Sequence, residues 1–339
     1  MDRILLHRVG PGVTVQDGGR SGFLAQGLSR GGAADRLALE EGAALLGQDP
    51  RFAAIEIAGS FLSLEVTGST HISLTGAPMR ALHDGAELRW HASHLLPAGA
   101  RLELSSLSGG YSYVNVGGGL AVEEILGARS AHLASGLGAM LKPGASLPVG
   151  SYAGGTAGMF LTPLARFEGG LLRVVATPQT HLFPRAEIER FEATVFRKDT
   201  RGNRMGQRLI VEGDGFGLDA GLSILSETIV PGDIQITGDG APFVLLSECQ
   251  TTGGYPRIGT VLPCDLPCLV QAKAGAELQF RFVSREDAIV SERAEAARRA
   301  GLRKQIRPTL RDPRDMHDLL SYQLISGVTS GDDLEREIT

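Results

Sequence analysis

Lysine, cysteine and tryptophan are all scarce in this chain of 339 residues. It has 33 Lys and Arg together, yet only Lys142, Lys198, Lys273 and Lys304 are lysines, beside three cysteines and one tryptophan. Cys249, Cys264 and Cys268 are too few for a disulfide framework, and their odd number suits a compartment where thiols stay reduced. Cys264 and Cys268 could supply part of a zinc site, but no neighbouring His or Cys completes four ligands. They read as small core residues, and no metal is expected. No apolar run approaches the ~20 residues that span a bilayer. The N-terminal stretch meets Gly10-Pro11-Gly12 without an apolar core of signal-peptide length. A cytoplasmic protein without a membrane role is expected. A net charge of −5 likewise lacks the concentrated basic face that nucleic-acid phosphates require.

Several catalytic signatures are also missing. There is no Gly-x-x-x-x-Gly-Lys-Ser/Thr, so no P-loop, and no Gly-x-Ser-x-Gly elbow. Gly117-Gly118-Gly119 follows a strand but lacks dinucleotide-binding spacing, and reads as a tight turn before an anion cradle. Met140-Leu141-Lys142-Pro143 is not a biotin-carrying hairpin, and no Ser-Ser-Lys amidase signature appears. ATP-, biotin- or amidase-linked chemistry would therefore have to be carried by other polypeptides.

Glycine is abundant, 46 residues spread over the whole length, in a chain that is 42% apolar and 21% charged. Between the glycines run short period-two alternations: Leu62, Leu64 and Val66; Leu102 and Leu104; Leu278, Phe280 and Phe282. Half-buried strands joined by tight turns follow from that pattern, and many of them favour a barrel or sandwich. Helices are expected over about Ala34–Leu46, ended by Gly47, over Arg185–Arg197 with Ile188, Phe191 and Val195 on one face, and from an N-cap at Ser284 to about Lys304. Met316–Val328 is apolar enough to dock, and Asp332–Thr339 reads as frayed. A strand feeding a glycine cluster occurs twice, at Val114–Gly119 and Val244–Gly254. This suggests two related halves, 1–168 and 169–284, with a C-terminal helical extension and tail at 285–339.

Three polar clusters stand in glycine-rich loops. The first joins Gln16-Asp17-Gly18-Gly19-Arg20 to Arg30–Asp35, where an Arg fork suits a carboxylate or carbamate. An Asp–Arg pair pinning a turn, with Asp35 capping the helix, explains it equally well. The second, Asp199–Leu209, sets three arginines around Asn203, as an anion site or as solvated loop charge. In the third, strand Phe243–Leu246 delivers Glu248-Cys249-Gln250-Thr251-Thr252-Gly253-Gly254-Tyr255-Pro256 into a turn. Gln250 and the two hydroxyls could bind an amide or ureido group, with Tyr255 as proton donor or stacking face. Cys249 is a conceivable nucleophile but has no His nearby in sequence to activate it.

Together the clusters resemble the allophanate hydrolase subunit 2, or biotin-dependent carboxyltransferase, family, which includes the C-type subunit of 5-oxoprolinase and the carboxyltransferase part of urea carboxylase. The resemblance runs from Gly10 to about Phe282. It is carried by Gly10–Arg20, by Asn203-Arg204-Met205-Gly206 and by Gln250–Pro256. Gly127-Ala128-Arg129-Ser130-Ala131, Gly202, Ala43, Gln48 and Glu248 depart from the family pattern. The resemblance implies a mainly β fold of two cyclophilin-like β-barrel halves with a few short helices. It also implies a subunit 1 partner (the B-type subunit) and, in 5-oxoprolinase, a third protein, the A-type subunit.

The leading expectation is one component of an ATP-dependent 5-oxoprolinase-like complex that opens 5-oxoproline to glutamate, ATP being supplied through the complex. Its catalytic residues would be Gln250, Tyr255, Arg204 and Asp17. Its small-molecule amide substrate would be bound by Arg20, Arg30, Asp35, Asn203, Thr251 and Thr252, with Arg20 and Arg204 on a carboxylate. One alternative is transfer of a carboxyl group to urea or another amide from biotin on a carrier protein. The other is a non-catalytic regulatory binder of the subunit 1 partner.

Overall fold

The alternating segments are strands. A computed structural model describes residues 2–218 and 224–309; the expected docking segment Met316–Val328 and the tail beyond it lie outside the described residues. Arg101–Ser106 and Glu277–Phe282 each alternate exposed and buried positions cleanly. In the first half, one sheet of six strands and one of seven enclose a single core that includes Ile4, Leu64, Leu102, Ile55 and Val114. Phe61–Val66 lies inside the six-stranded sheet, where even Ser63 is buried.

Four α-helices accompany the strands among the described residues. Helix α1 (Arg36–Leu45) starts behind Asp35, whose carboxylate accepts the Ala38 amide at 3.1 Å, and is ended by Gly47 at φ +64°. It lies so close to the seven-stranded sheet that a Cβ on Gly42 would fall 1.9 Å from the Asn115 amide. Glycine is thus required there for contact. The Gly117–Gly119 amides are all used internally, by His71 O, by the Gln48 side chain and by Val116 O, so this turn is no anion cradle.

The second half is a closed barrel of seven strands drawn from Gly170 to Phe282. It closes through a parallel pair, Gly170–Val175 beside Glu277–Phe282; its other neighbours run antiparallel. Helix α2 (Arg185–Ala193) plugs it with Phe191, whose ring lies 5.0–5.4 Å from those of Phe280, Phe196 and Phe216. The helix stops four residues short of the expected Arg197, because Phe196 is fully buried as the start of a barrel strand. Val195, expected on one helix face with Ile188 and Phe191, lies beyond the helix and is exposed. Helix α3 (Leu266–Gln271) is too short to show periodicity and has no counterpart among the expected helices. Helix α4 (Arg285–Ala300) has the expected Ser284 cap, and Gly301 ends it before Lys304.

The chain after α4 returns to the first half. Leu302 packs with Leu37, Leu45 and Leu161, Arg299 pairs with Glu40, and Arg307–Pro308 adds the last strand to the seven-stranded sheet. Arg166, on the connection between the halves, is buried between Asp35 (2.9 Å) and Glu41 (2.7 Å) of α1. Gln271 of the barrel half donates to Asp35 at 2.7 Å and to the Tyr111 carbonyl at 2.8 Å, so α1, the connection and α3 form one buried polar joint.

This packing can be tested at two residues. Arg166→Met leaves two buried carboxylates without their cation and should cost about 3–5 kcal/mol in urea unfolding; a loss near zero would show that the joint is not needed. His91 is buried, neither ring nitrogen has a partner among the described residues, and burial with the nearby Arg166 pulls its pKa from 6.5 to about 3. Below pH 6.5 the unfolded chain binds a proton there that the folded chain refuses. That contribution to stability is whole above this pH and is lost as pH falls, by roughly 1.4 kcal/mol per unit. His91→Asn, which tolerates the φ of +53° at this site, should flatten the dependence in melts between about pH 6 and 4.

Candidate functional site

Strand Ala54–Ala58 carries Glu56 into the protein between Thr14 and Tyr113 on its neighbours. Fully buried, this carboxylate accepts the Tyr113 hydroxyl at 2.7 Å and the Ala34 amide at 2.8 Å, and it binds the Arg204 guanidinium through its other oxygen. Arg204 reaches across from the barrel half. Its remaining nitrogens bond Glu248 and the Gly32 carbonyl. Glu248 in turn accepts the Ala134 amide at 3.1 Å. The desolvated guanidinium is held charged by the two carboxylates, well above its ordinary pKa. Burial and Glu56 raise the Tyr113 phenol far above 10, so it remains a donor.

A groove between the halves opens over this network. One end, about 440 Å³, is lined by Ser29 and His132 from the first half and by Met205, Gln250, Thr251 and Thr252 from the second. The other end, about 430 Å³, shares Ala134, Met205 and Glu248 and adds Thr14, Tyr111 and Asn203. Both motifs of the barrel half therefore line the groove, and Ser29 borders the first. The Thr251 carbonyl is held by the Ile229 amide, and Thr252-Gly253 pairs with Glu227-Thr228, which fixes the hydroxyl-bearing turn. Asn203 accepts the Met205 amide at 2.7 Å and is exposed.

Two groove residues had no sequence signal. The Ser29 hydroxyl and His132 Nε2 are 2.9 Å apart, both residues are buried, and His132 Nδ1 has no partner among the described residues. Burial lowers the His132 pKa despite nearby Glu248, leaving a neutral imidazole that can take a proton from Ser29. The two residues are 103 positions apart, so only the fold joins them. His132 is set by a tight loop in which it exchanges backbone bonds with Leu137.

The other expected site residues separate by place. Gln250, Thr251, Thr252 and Asn203 line the groove, whereas Tyr255 is exposed and is not among its lining residues. Arg204 also lines one end of the groove, but all three of its nitrogens are bonded within the protein, which makes it a bolt between the halves rather than a free anion receptor. Asp17 accepts the Gly19 and Arg129 amides at 2.8 and 2.6 Å, which pins loops, and it lies away from the groove, bordering a different pocket. Asp35 is fully buried, committed to its cap, Arg166 and Gln271, and closed to substrate. Arg20 is buried on the Ser130 and Ile125 carbonyls. Arg30 is exposed but borders a different pocket, about 550 Å³, beside Gly18, Arg36 and Arg299. Cys249 lies in the groove wall, yet burial pushes its thiol up to about 12, which rules out a thiolate nucleophile near neutrality. Cys268 donates to the Gly169 carbonyl and Cys264 lies against Arg173; no cluster of metal ligands occurs among the described residues.

Residues 26–282 match the family model described as "Carboxyltransferase domain, subdomain A and B". The chain belongs to this carboxyltransferase-domain family. The match includes the second and third motifs and begins after Gly10–Arg20. The C-type subunit of Escherichia coli 5-oxoprolinase is 35% identical over 289 residues, covering 83% of this chain and 92% of that protein. A putative urea carboxylase from Emericella nidulans is 27% identical over 82% of this chain but only 24% of its own length. Among solved structures, that of TTHA0988 superposes with a TM-score of 0.76 at 28% identity, over 83% of this chain and 56% of that one. Among the described residues the chain is mainly β. No helix among the described residues is long and apolar enough to cross a membrane.

Since Glu56 and Glu248 are both buried, Arg204→Ala should destabilise the protein by about 3–5 kcal/mol in urea unfolding, while exposed Arg30→Ala stays within about 0.5 kcal/mol. Equal, small effects would return Arg204 to the free anion-binding role.

Proposed function

We propose that this chain is the C-type subunit of an ATP-dependent 5-oxoprolinase complex, whose groove between the halves holds the lactam while it is opened to glutamate. The observation that carries this reading is the 35% identity to the C-type subunit of Escherichia coli 5-oxoprolinase across 92% of that protein. The chemistry of the groove supports it. Gln250, Thr251, Thr252 and Asn203 offer the donors and acceptors that a cyclic amide requires, and an amide site of this kind rejects analogues that cannot pair with it. Opening the ring adds water to the carbonyl, breaks the carbon–nitrogen bond and delivers a proton to the ring nitrogen. In this reading the Ser29–His132 pair takes a proton from the attacking water and returns it to the leaving nitrogen, and their 2.9 Å contact supports it. ATP would be handled together with partners of the B type (subunit 1) and the A type.

A second reading is carboxyl transfer to urea or another amide, favoured by the identity to the Emericella nidulans putative urea carboxylase. Carboxybiotin, arriving on a carrier protein, supplies the carboxyl group in such a reaction. Its ureido ring would meet the same Gln250, Thr251 and Thr252.

Reconstitution with the A-type and B-type partners should give glutamate from 5-oxoproline only with ATP. Gln250→Ala should raise KM about tenfold, and His132→Asn should lower kcat by about 10²-fold or more and flatten the acidic limb of its pH profile. Undiminished turnover in both variants would remove these roles; urea-dependent consumption of carboxybiotin without glutamate formation would favour the second reading.

A further inference from the structure

The 550 Å³ pocket beside Gly18 is not part of the amide groove, and its charges do not balance. Arg30 Nε and Arg36 Nη2 both donate to the Gly18 carbonyl, at 2.9 and 3.3 Å, so one oxygen gathers two guanidinium groups. Among the described residues neither forms an ion pair with a carboxylate. The acids nearby are committed elsewhere: Asp17 to the Gly19 and Arg129 amides, Glu40 to Arg299 at 3.1 Å, and Asp49 to Arg51 at 2.7 Å. Burial, with Arg30 and Arg299 nearby and only partly offset by Glu40, brings the Arg36 pKa down to about 10, so it is still charged at neutral pH.

The walls fit a ligand larger than a water or a halide. Gly18, Gly19 and Gly127 line the pocket, and a Cβ on Gly127 would meet nothing within 4 Å, so the pocket is open on that side. A volume in the range of small-molecule sites rather than single ions points to an anion carried on a larger body. Asp17 and Glu40 offset part of this charge, but with Arg51 and Arg299 the lining sets four guanidinium groups against two carboxylates, an excess that suits a group of charge near −2 better than a single carboxylate.

We propose that this pocket binds the phosphoryl group of a small molecule, with Arg30 and Arg36 gripping its oxygens. The site is separate from the amide groove and does not depend on the 5-oxoprolinase reading. The same chemistry serves inorganic phosphate and a nucleotide, and titration distinguishes them.

The test is calorimetry on the full chain with inorganic phosphate, with ADP and with glutarate. Phosphate or ADP should bind at submillimolar concentration, more weakly as salt rises, and Arg36→Gln or Arg30→Gln should each weaken binding about tenfold. Gln250→Ala should leave it unchanged. Tighter binding of ADP than of phosphate identifies a nucleotide as the bearer; the reverse identifies phosphate itself or another phosphorylated molecule. No binding of either at about 5 mM, binding that survives both arginine substitutions, or glutarate binding tighter than phosphate would each overturn the proposal. Melting curves check that the variants fold, and Arg30, being exposed, carries the test if Arg36→Gln does not.

Discussion

One guanidinium between two buried carboxylates sets the geometry on which the rest depends. Arg204 belongs to the barrel half, Glu56 to the first half, and Glu248 to the strand end that leads into Gln250. Without the cation both carboxylates would be buried and unpaired. Glu248 also holds the Ala134 amide, two residues from His132, and Glu56 holds the Ala34 amide at the entrance to α1. The ion network thus places both walls of the groove, so the Asn203-Arg204-Met205-Gly206 motif works as a joint whose flanking residues form the lining.

What was legible in the sequence was local. Alternation at Arg101–Ser106 and Glu277–Phe282 marks strands because side-chain direction has period two along any strand. The caps at Asp35 and Ser284 were readable because the acceptor and the amide it satisfies are three residues apart. Lost to sequence reading was whatever required a distant partner. Phe196 ends a helical pattern only because the barrel interior claims it, and Asp35 is removed from any ligand by Arg166 and Gln271, 131 and 236 positions away. An Asp or Arg in a glycine loop looks alike whether it meets substrate or another loop. Gln250, Thr251, Thr252 and Asn203, singled out from their motifs, line the groove, while Ser29 and His132 gain meaning only from each other.

The loop that enters α1 serves two chemistries with adjacent residues. Ser29 lines the amide groove against His132, while Arg30 borders the arginine pocket beside Arg36. Neutral hydrogen-bonding groups thus collect on one side of the loop and an excess of positive charge on the other. The glycines fix this arrangement: a Cβ on Gly19 would lie 2.6 Å from the Arg30 carbonyl, and one on Gly32 would strike Gly19 in return. The two sites are separate in their lining and share a single support.

The Arg307–Pro308 strand gives the order of manufacture an unusual bearing on the fold. The barrel is threaded into the first half as an insert, since the chain leaves the seven-stranded sheet at Met159–Phe160 and comes back to it only after Phe282. A ribosome therefore finishes the whole barrel before it makes the residues that complete the sheet begun at Val13–Gln16. Until then the edge at Met159–Phe160 has no partner on that side, the open strand edge that invites pairing with other chains. The barrel, whose strands are contiguous in sequence, can close on its own while the domain that surrounds it in sequence still waits for its last piece.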